Sequence, residues 1–294
     1  IVPALPPPPA RVRLPNFLTR LFGAEQPAAR LRERVLGHRF VTVLGPGGSG
    51  KTRIAVEVAD PLRARADWPL PVPASEVSFD LIAFVPLAAC SQRAQALDAL
   101  VSALEIATQG RDPLAAVLQA LAGRRVLLLL DNFEQLVDDA ADVVATLLSA
   151  LPLLHVLATS RRALDLDGEQ VFELLALPLP DADATTDAAA ANPAVALFVE
   201  RARAVRADFH LSSRNRGAVV ALARELEGMP LAIELAASRV RSLAPGEMLQ
   251  RLRRAGLPRL ELLRRATARN DAPARHASMQ RTIDWSWQLL DADQ

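Results

Sequence analysis

Short unbroken apolar runs alternate with helix-period stretches through the first 180 residues of the chain. Runs at 40–44 (FVTVL), 81–87, 126–130, 153–158 and, more weakly, 171–177 predict buried strands. Between and around them, apolar positions recur with helical spacing at about 24–37, 51–59, 93–106, 113–122 and 133–149. Strands that are apolar throughout, separated by helices, predict a parallel sheet covered on both faces. The pattern changes across 178–193, which is rich in Asp, Ala and Thr, lacks apolar periodicity and is expected to be a loop. Beyond it only helical spacing remains: Val195, Phe198, Val199 and Ala202 share one face, as do Val219, Leu222, Ala223 and Leu226. A further helix starts near Pro230, and the apolar-aromatic stretch IDWSWQLL at 283–290 predicts the first helix of another module.

Six prolines within residues 1–15 favour a stiff extended linker. The expected division is therefore a Pro-rich linker over 1–15, an α/β domain over 16–180, a linker over 181–192, a helical bundle over 193–258, and a junction into an incomplete module over 259–294. The first residue is Ile1 and the last four are Asp-Ala-Asp-Gln, so the chain is expected to be an excerpt from a longer protein.

Composition narrows the function classes. The chain has 294 residues, 51% hydrophobic and 23% charged, with 34 basic residues against 33 acidic ones. A net charge of +1 gives no global reason to expect nucleic acid or an acidic membrane as partner. Cys90 is the only cysteine and the four histidines are scattered, which excludes an intrachain disulfide and a Cys-rich metal site. No apolar run approaches the roughly 18 to 20 residues that span a bilayer, and no leader pattern opens the chain, so a cytoplasmic location with no membrane partner is expected. The even charge total conceals two blocks: residues 131–190 hold 12 acidic and 2 basic residues, and 239–281 hold 11 Arg and 3 acidic residues. These blocks are open to reading as an intramolecular contact, as an interface for a partner, or as two solvated faces.

All basic residues but one are arginine; the single lysine is Lys51. It stands in Gly45-Pro46-Gly47-Gly48-Ser49-Gly50-Lys51-Thr52, which fits G-x-x-x-x-G-K-[ST] directly after an apolar strand and at the start of a helix. Glycines there let backbone N–H groups close around phosphate oxygens, and the helix N-terminus adds partial positive charge. Lys51 is expected to meet the β- and γ-phosphates and Thr52 to offer its hydroxyl to Mg²⁺, with Arg53 completing the nucleotide-binding set. A slender ammonium suits this position where a forked guanidinium would not.

The run at 126–130 ends in Asp131, a carboxylate that a strand lying beside the loop would aim at the same Mg²⁺. The run at 153–158 leads into Thr159, Ser160, Arg161 and Arg162, polar groups where a parallel sheet exposes its carboxyl ends. Thr159 or Arg161 is a candidate reader of the γ-phosphate; the alternative is that the two arginines solvate a loop.

Together these motifs resemble the NB-ARC branch of the signal-transduction ATPases (the STAND class), in particular the nucleotide-binding regions of large bacterial LuxR-type and antibiotic-regulator-type transcriptional regulators. Residues 21–25 (LFGAE) look like the family's entry motif, with Ala24 where an Arg is usual. Residues 45–52, 127–135 and 158–161 match the phosphate loop, the acidic-strand motif and the sensor motif. Gly228-Met229-Pro230-Leu231 looks like the helical domain's G-x-P motif, and 275–287 resembles the junction into a winged-helix domain.

The resemblance implies a P-loop NTPase fold, α/β with a parallel sheet between helices, followed by an all-helical domain and the start of a winged helix. It implies an ATP/ADP switch in which ADP lies between the sheet and helical domains in a closed form, with Pro230 near the adenine. Lys51, Asp131 and Arg161 would carry the chemistry, and Thr52 and Asp131 the metal. It further implies flanking effector and sensor domains and nucleotide-dependent self-association.

Relatives with robust hydrolysis often carry an acidic residue directly after the strand-end Asp. Here Asn132 occupies that place, so slow or conditional hydrolysis is expected, and Glu134 could substitute only if the turn returns it to the site. Two competing readings are a constitutive P-loop ATPase or small-molecule kinase, and a helix-turn-helix DNA-binding module over 214–241. The second is disfavoured by an apolar reading helix, and no direct nucleic-acid binding is expected.

Overall fold

The computed structural model describes residues 14–62, 78–108 and 110–253. They form two compact units. The second contains Leu21–Glu25, Pro46–Gly50 and the chain from Leu174 on; the first contains the remainder up to Glu173.

In the first unit, β1 (Phe40–Leu44), β2 (Leu81–Pro86), β3 (Val126–Asp131), β4 (Leu154–Ser160) and β5 (Gln170–Glu173) make one parallel sheet in the order β2-β3-β4-β1-β5. Its helices are α1 (Glu25–Gly37), α2 (Lys51–Ala59), α3 (Arg93–Ala103), α4 (Pro113–Leu121) and α5 (Val137–Ala150). Every residue of β3 is buried, as a strand covered on both faces requires. Val126, Leu128 and Leu130 join the core built with α3, α4 and α5. The intervening Leu127 and Leu129 are equally buried but point to the other side, because side chains alternate along a strand.

Local chemistry sets the helix starts. Asp112 accepts a hydrogen bond from Ala115 N at 2.9 Å and Pro113 follows at the first helical position of α4. The edge strand β5 is shorter than the apolar run at 171–177 suggests. Its residues are half-buried or exposed, and Leu177 leaves the sheet to donate to Gly228 O at 3.0 Å in the second unit.

The acidic strand β3 does not lie beside β1, because β4 pairs with both and separates them. The carboxyl ends of β1, β4 and β3 nevertheless share one edge of the sheet.

The second unit is helical: α6 (Thr186–Ala191), α7 (Pro193–Val205), α8 (Arg216–Glu225), α9 (Pro230–Ala237) and α10 (Pro245–Arg253). Val195, Phe198, Ala202, Val219, Leu222, Ala223, Ile233 and Ala237 form its core, with the Phe198 and Phe209 rings edge to face at 6.0 Å. The stretch 181–192 is not only a linker, since α6 lies within it. Thr185 Oγ1 accepts from Ala188 N to cap that helix, its alanines are strong helix formers, and Ala189 is buried. Asn192 then caps α7 by accepting from Ala194 and Val195 N–H. Residues 232, 233 and 235–237 of α9 are buried, so this helix serves as a core element. The expected junction and winged-helix start at 259–294, and residues 1–13 of the expected linker, lie outside the described residues. No helix among the described residues is long and apolar enough to cross a membrane.

Candidate functional site

The site grows from the carboxyl ends of β1, β3 and β4. After β1 the chain turns through Gly48 and Gly50, whose φ angles of 84° and 96° are open to glycine and strained for other residues. A Cβ on Gly50 would meet nothing within 4 Å, so its conformation rather than crowding calls for glycine there. At Gly48 an added Cβ would stand 2.9 Å from Leu231 Cβ, and Leu231 N donates to Gly48 O at 3.3 Å. Ser49 N donates to Pro46 O at 3.3 Å, which tightens the turn, while the buried Ser49 Oγ has no hydrogen-bond partner among the described residues.

Lys51 opens α2 with its side chain folded back, Nζ donating to Gly45 O at 2.8 Å. Only 8% of the residue is exposed. Burial pushes its pKa down to about 8; the charge of Glu134 opposes this, Arg161 adds to it, and Asp131 opposes it in turn.

Thr52 and Thr159 both donate to the same oxygen of Asp131: Thr52 Oγ1 in a short bond and Thr159 Oγ1 at 2.8 Å. Thr159 Oγ1 also accepts from Asn132 N at 3.0 Å. One buried hydroxyl on β4 thus ties the acidic residue of β3 to the turn that follows it. That turn begins with Asn132 in the left-handed region at φ 64° and ψ 55°, a conformation Asn tolerates better than most residues. A single 3₁₀ turn follows at Phe133–Gln135, anchored by the buried Phe133.

The turn brings Glu134 back toward the strand ends, 7% exposed. Its Oε1 accepts from Asn132 Nδ2 at 3.1 Å and lies 3.1 Å from Arg161 Nε, an ion pair rather than a well-aligned hydrogen bond. Burial lowers the Arg161 pKa and the Glu134 carboxylate resists that shift. Glu134 Oε2 is buried with no hydrogen-bond partner among the described residues.

Lys51, Thr52, Asp131 and Arg161 are thereby gathered at one edge of the first unit. The Arg53 guanidinium stands over the Phe17 ring at 5.6 Å from the centroid. Pro230 is the first residue of α9, immediately before the Leu231 that bonds to Gly48. Thr159, offered by the sequence with Arg161 as a candidate reader of the γ-phosphate, bridges β4 to Asp131 of β3 and to Asn132 after it. Phe17 carries no signal in the sequence, because nothing in the pattern around it marks a contact with Arg53.

The donor set suits a hard cation shared with a phosphate. Thr52 and Asp131 offer hydroxyl and carboxylate oxygens at hydrogen-bond distance from each other, and a magnesium ion held by them would draw its other ligands from phosphate and water. Among the described residues there is no cluster of three or more His, Cys, Asp or Glu able to hold a metal unaided.

Comparisons with known proteins agree with this frame. No family model matches the chain. A protein of Mycobacterium bovis that carries a provisional name as an HTH-type transcriptional regulator is 34% identical over 261 residues, covering 88% of this chain and 26% of that protein. A Mycobacterium tuberculosis protein without a described function is 32% identical over 277 residues, covering 94% of this chain and 63% of that protein. The chain thus spans about a quarter of the length of the regulators it matches. Among solved structures, a Walker-type ATPase of Pyrococcus abyssi superposes with a TM-score of 0.50 at 13% identity, covering 79% of this chain and 71% of that one. A STAND protein with a tetratricopeptide repeat sensor from Pyrococcus horikoshii gives a TM-score of 0.41 at 15% identity over 78% of this chain and 30% of that one.

The chain therefore has the fold of a P-loop ATPase with a helical region after the sheet. In its motifs it is STAND-like, and in sequence it resembles mycobacterial proteins named as transcriptional regulators.

Proposed function

We propose that the chain is the nucleotide-binding core of a larger regulator, binding ATP or ADP with Mg²⁺ as a switch and hydrolysing ATP slowly. The observation that carries this reading is the convergence of Thr52 and Thr159 on one oxygen of Asp131, beside the buried Lys51 at the sheet edge. In this reading Lys51 and the backbone of 45–52 hold the phosphates, Thr52 and Asp131 hold the metal, and Arg161 answers to the γ-phosphate. Arg53 and Pro230 belong to the nucleoside side. The greater length of the named relatives supports further domains beyond this chain, and their name supports an output in transcription. ADP retention, nucleotide-dependent self-association and an NB-ARC type of cycle are parts of the same proposal. A nucleotide can drive such a switch only by binding its two states with different affinity.

Protein purified without added nucleotide should release ADP on denaturation, identified by chromatography. Protein that is empty and also fails to bind ADP and ATP in calorimetry refutes the reading. Steady turnover in the range of roughly 1 to 100 per second, typical of kinases, would replace it with a constitutive P-loop enzyme.

A further inference from the structure

Glu134 carries a charge that the phosphate-binding arrangement does not use. It is more than nine-tenths buried, yet both of its neighbouring donors, Asn132 Nδ2 and Arg161 Nε, address the same oxygen, Oε1. Oε2 is left buried and unpaired. An unpaired buried carboxylate oxygen is costly and calls for an explanation, of which a catalytic role is one. A counter-ion for Arg161 needs only the oxygen already engaged.

The position of Glu134 is also well determined. Thr159 Oγ1 receives Asn132 N, Leu136 N closes the turn onto Phe133 O at 2.9 Å, and Phe133 is sunk in the core. The side chain therefore stands on a turn fixed at both ends. Its Oε1 lies 3.1 Å from Arg161 Nε at the end of β4, and its charge is felt by Lys51. Asp131 receives both threonine hydroxyls and is the expected metal ligand, and Asn132 has no acid–base function, so Glu134 is the carboxylate of this cluster left to act on a water.

We propose that Glu134 is the general base for ATP hydrolysis, orienting and deprotonating the attacking water through Oε2 while Arg161 holds Oε1. This rests on the nucleotide reading above and supplies the group that Asn132 cannot. As the water oxygen bonds to the γ-phosphorus, its proton passes to Oε2. The bond from that phosphorus to the bridging oxygen breaks, with its electron pair leaving on ADP. Glu134 then returns the proton to solvent, so one ATP and one water give ADP, inorganic phosphate and a proton. Because Arg161 is the ion-pair partner of Glu134 and also the expected reader of the γ-phosphate, the two anions share one guanidinium.

The test is single-turnover phosphate release by the 294-residue chain with saturating ATP and Mg²⁺, alongside ADP and ATP affinities from calorimetry. General-base removal typically costs about 10² to 10⁴ in rate, so E134Q should lose at least about 100-fold while its affinities stay within about twofold. E134D keeps the charge facing Arg161 but withdraws the carboxylate by one methylene. It should still lose at least about tenfold, whereas a mere counter-ion would leave its rate unchanged. The assignment is overturned by wild-type rates in either variant, by affinities that collapse together with the rate, or by wild-type protein that binds ATP and never cleaves it. Wild-type protein that binds neither nucleotide overturns the nucleotide reading itself, a separate outcome.

Discussion

The two units bury different kinds of residue. The first unit hides Thr42, Lys51, Asp131, Glu134, Thr159 and Ser160, whereas the second hides Ser49 of the phosphate loop and, over the described residues from 174 to 253, no polar or charged residue to the same degree. Its core is Phe198, Ile233, Val219 and a set of small alanines on α6, α7, α8 and α9. A buried polar group must find partners or lower stability, so a fold concentrates such groups where chemistry repays the cost. The helical core is ordinary packing. The sheet edge is a polar network whose members hold one another in place, Lys51 on Gly45 O, Thr52 and Thr159 on Asp131, and Asn132 and Arg161 on Glu134.

Substitutions separate these two kinds of burial. The largest stability effect belongs to the helical core: Phe198→Ala should cost about 3–5 kcal/mol, read from urea unfolding, because the ring is fully enclosed and loses its contact with Phe209. A loss below about 1 kcal/mol would mean that this core is looser than its burial implies. Lys51→Ala reverses the pattern. Nucleotide affinity should fall about 100-fold, equivalent to about 2.7 kcal/mol, while the unfolding midpoint holds or rises because a desolvated charge is removed. Unchanged affinity in calorimetry would take Lys51 out of the site.

Thr159→Val tests the network itself. It deprives Asp131 of one donor and leaves Asn132 N–H without its acceptor, so stability should drop by about 1–3 kcal/mol. If the bridge is what holds Glu134 in position, ATP cleavage should fall as well, with little change in ADP affinity.

The smallest effect is in the pH dependence. With the Lys51 pKa at about 8 against an ordinary 10.5, the amine is charged in both folded and unfolded chains below pH 8, and the penalty for burying it is fully present there. Between 8 and 10.5 the folded protein sheds the proton first, so this contribution to stability improves as pH rises. Phosphate restores the charge, so nucleotide binding should take up a proton near pH 8 and weaken as pH climbs further. Calorimetry in two buffers of different ionisation enthalpy measures that uptake, and Lys51→Ala should abolish it. Binding without proton exchange near pH 8 would contradict the depressed pKa.

Much of the sheet edge is legible in the sequence, for physical reasons. Strands buried on both faces leave unbroken apolar runs, and a phosphate loop needs glycine at fixed spacings, so β1, β3, β4 and Lys51 announce themselves. What stays hidden depends on contacts between distant parts of the chain. Strand order is not encoded in any one segment, so the insertion of β4 between β1 and β3, and with it the bridging role of Thr159, emerges only from the structure. The return of Glu134 depends on one left-handed residue, Asn132, whose identity permits that conformation without demanding it. Helix α6 is concealed for a different reason: a run of alanines has helical propensity but no apolar stripe, so it looks like loop when judged by periodicity.

The solitary lysine has a practical corollary. Every other cationic side chain carries a guanidinium, apart from the four histidines, so acylating reagents that target amines find one lysine in the whole chain besides any α-amino group. That amine combines high intrinsic reactivity, since its lowered pKa leaves more of it neutral near pH 8, with poor access, since 8% of the residue is exposed. Mass spectrometry of acylated Lys51 would accordingly follow the opening and occupation of the phosphate loop in the unmodified chain, with no engineered label.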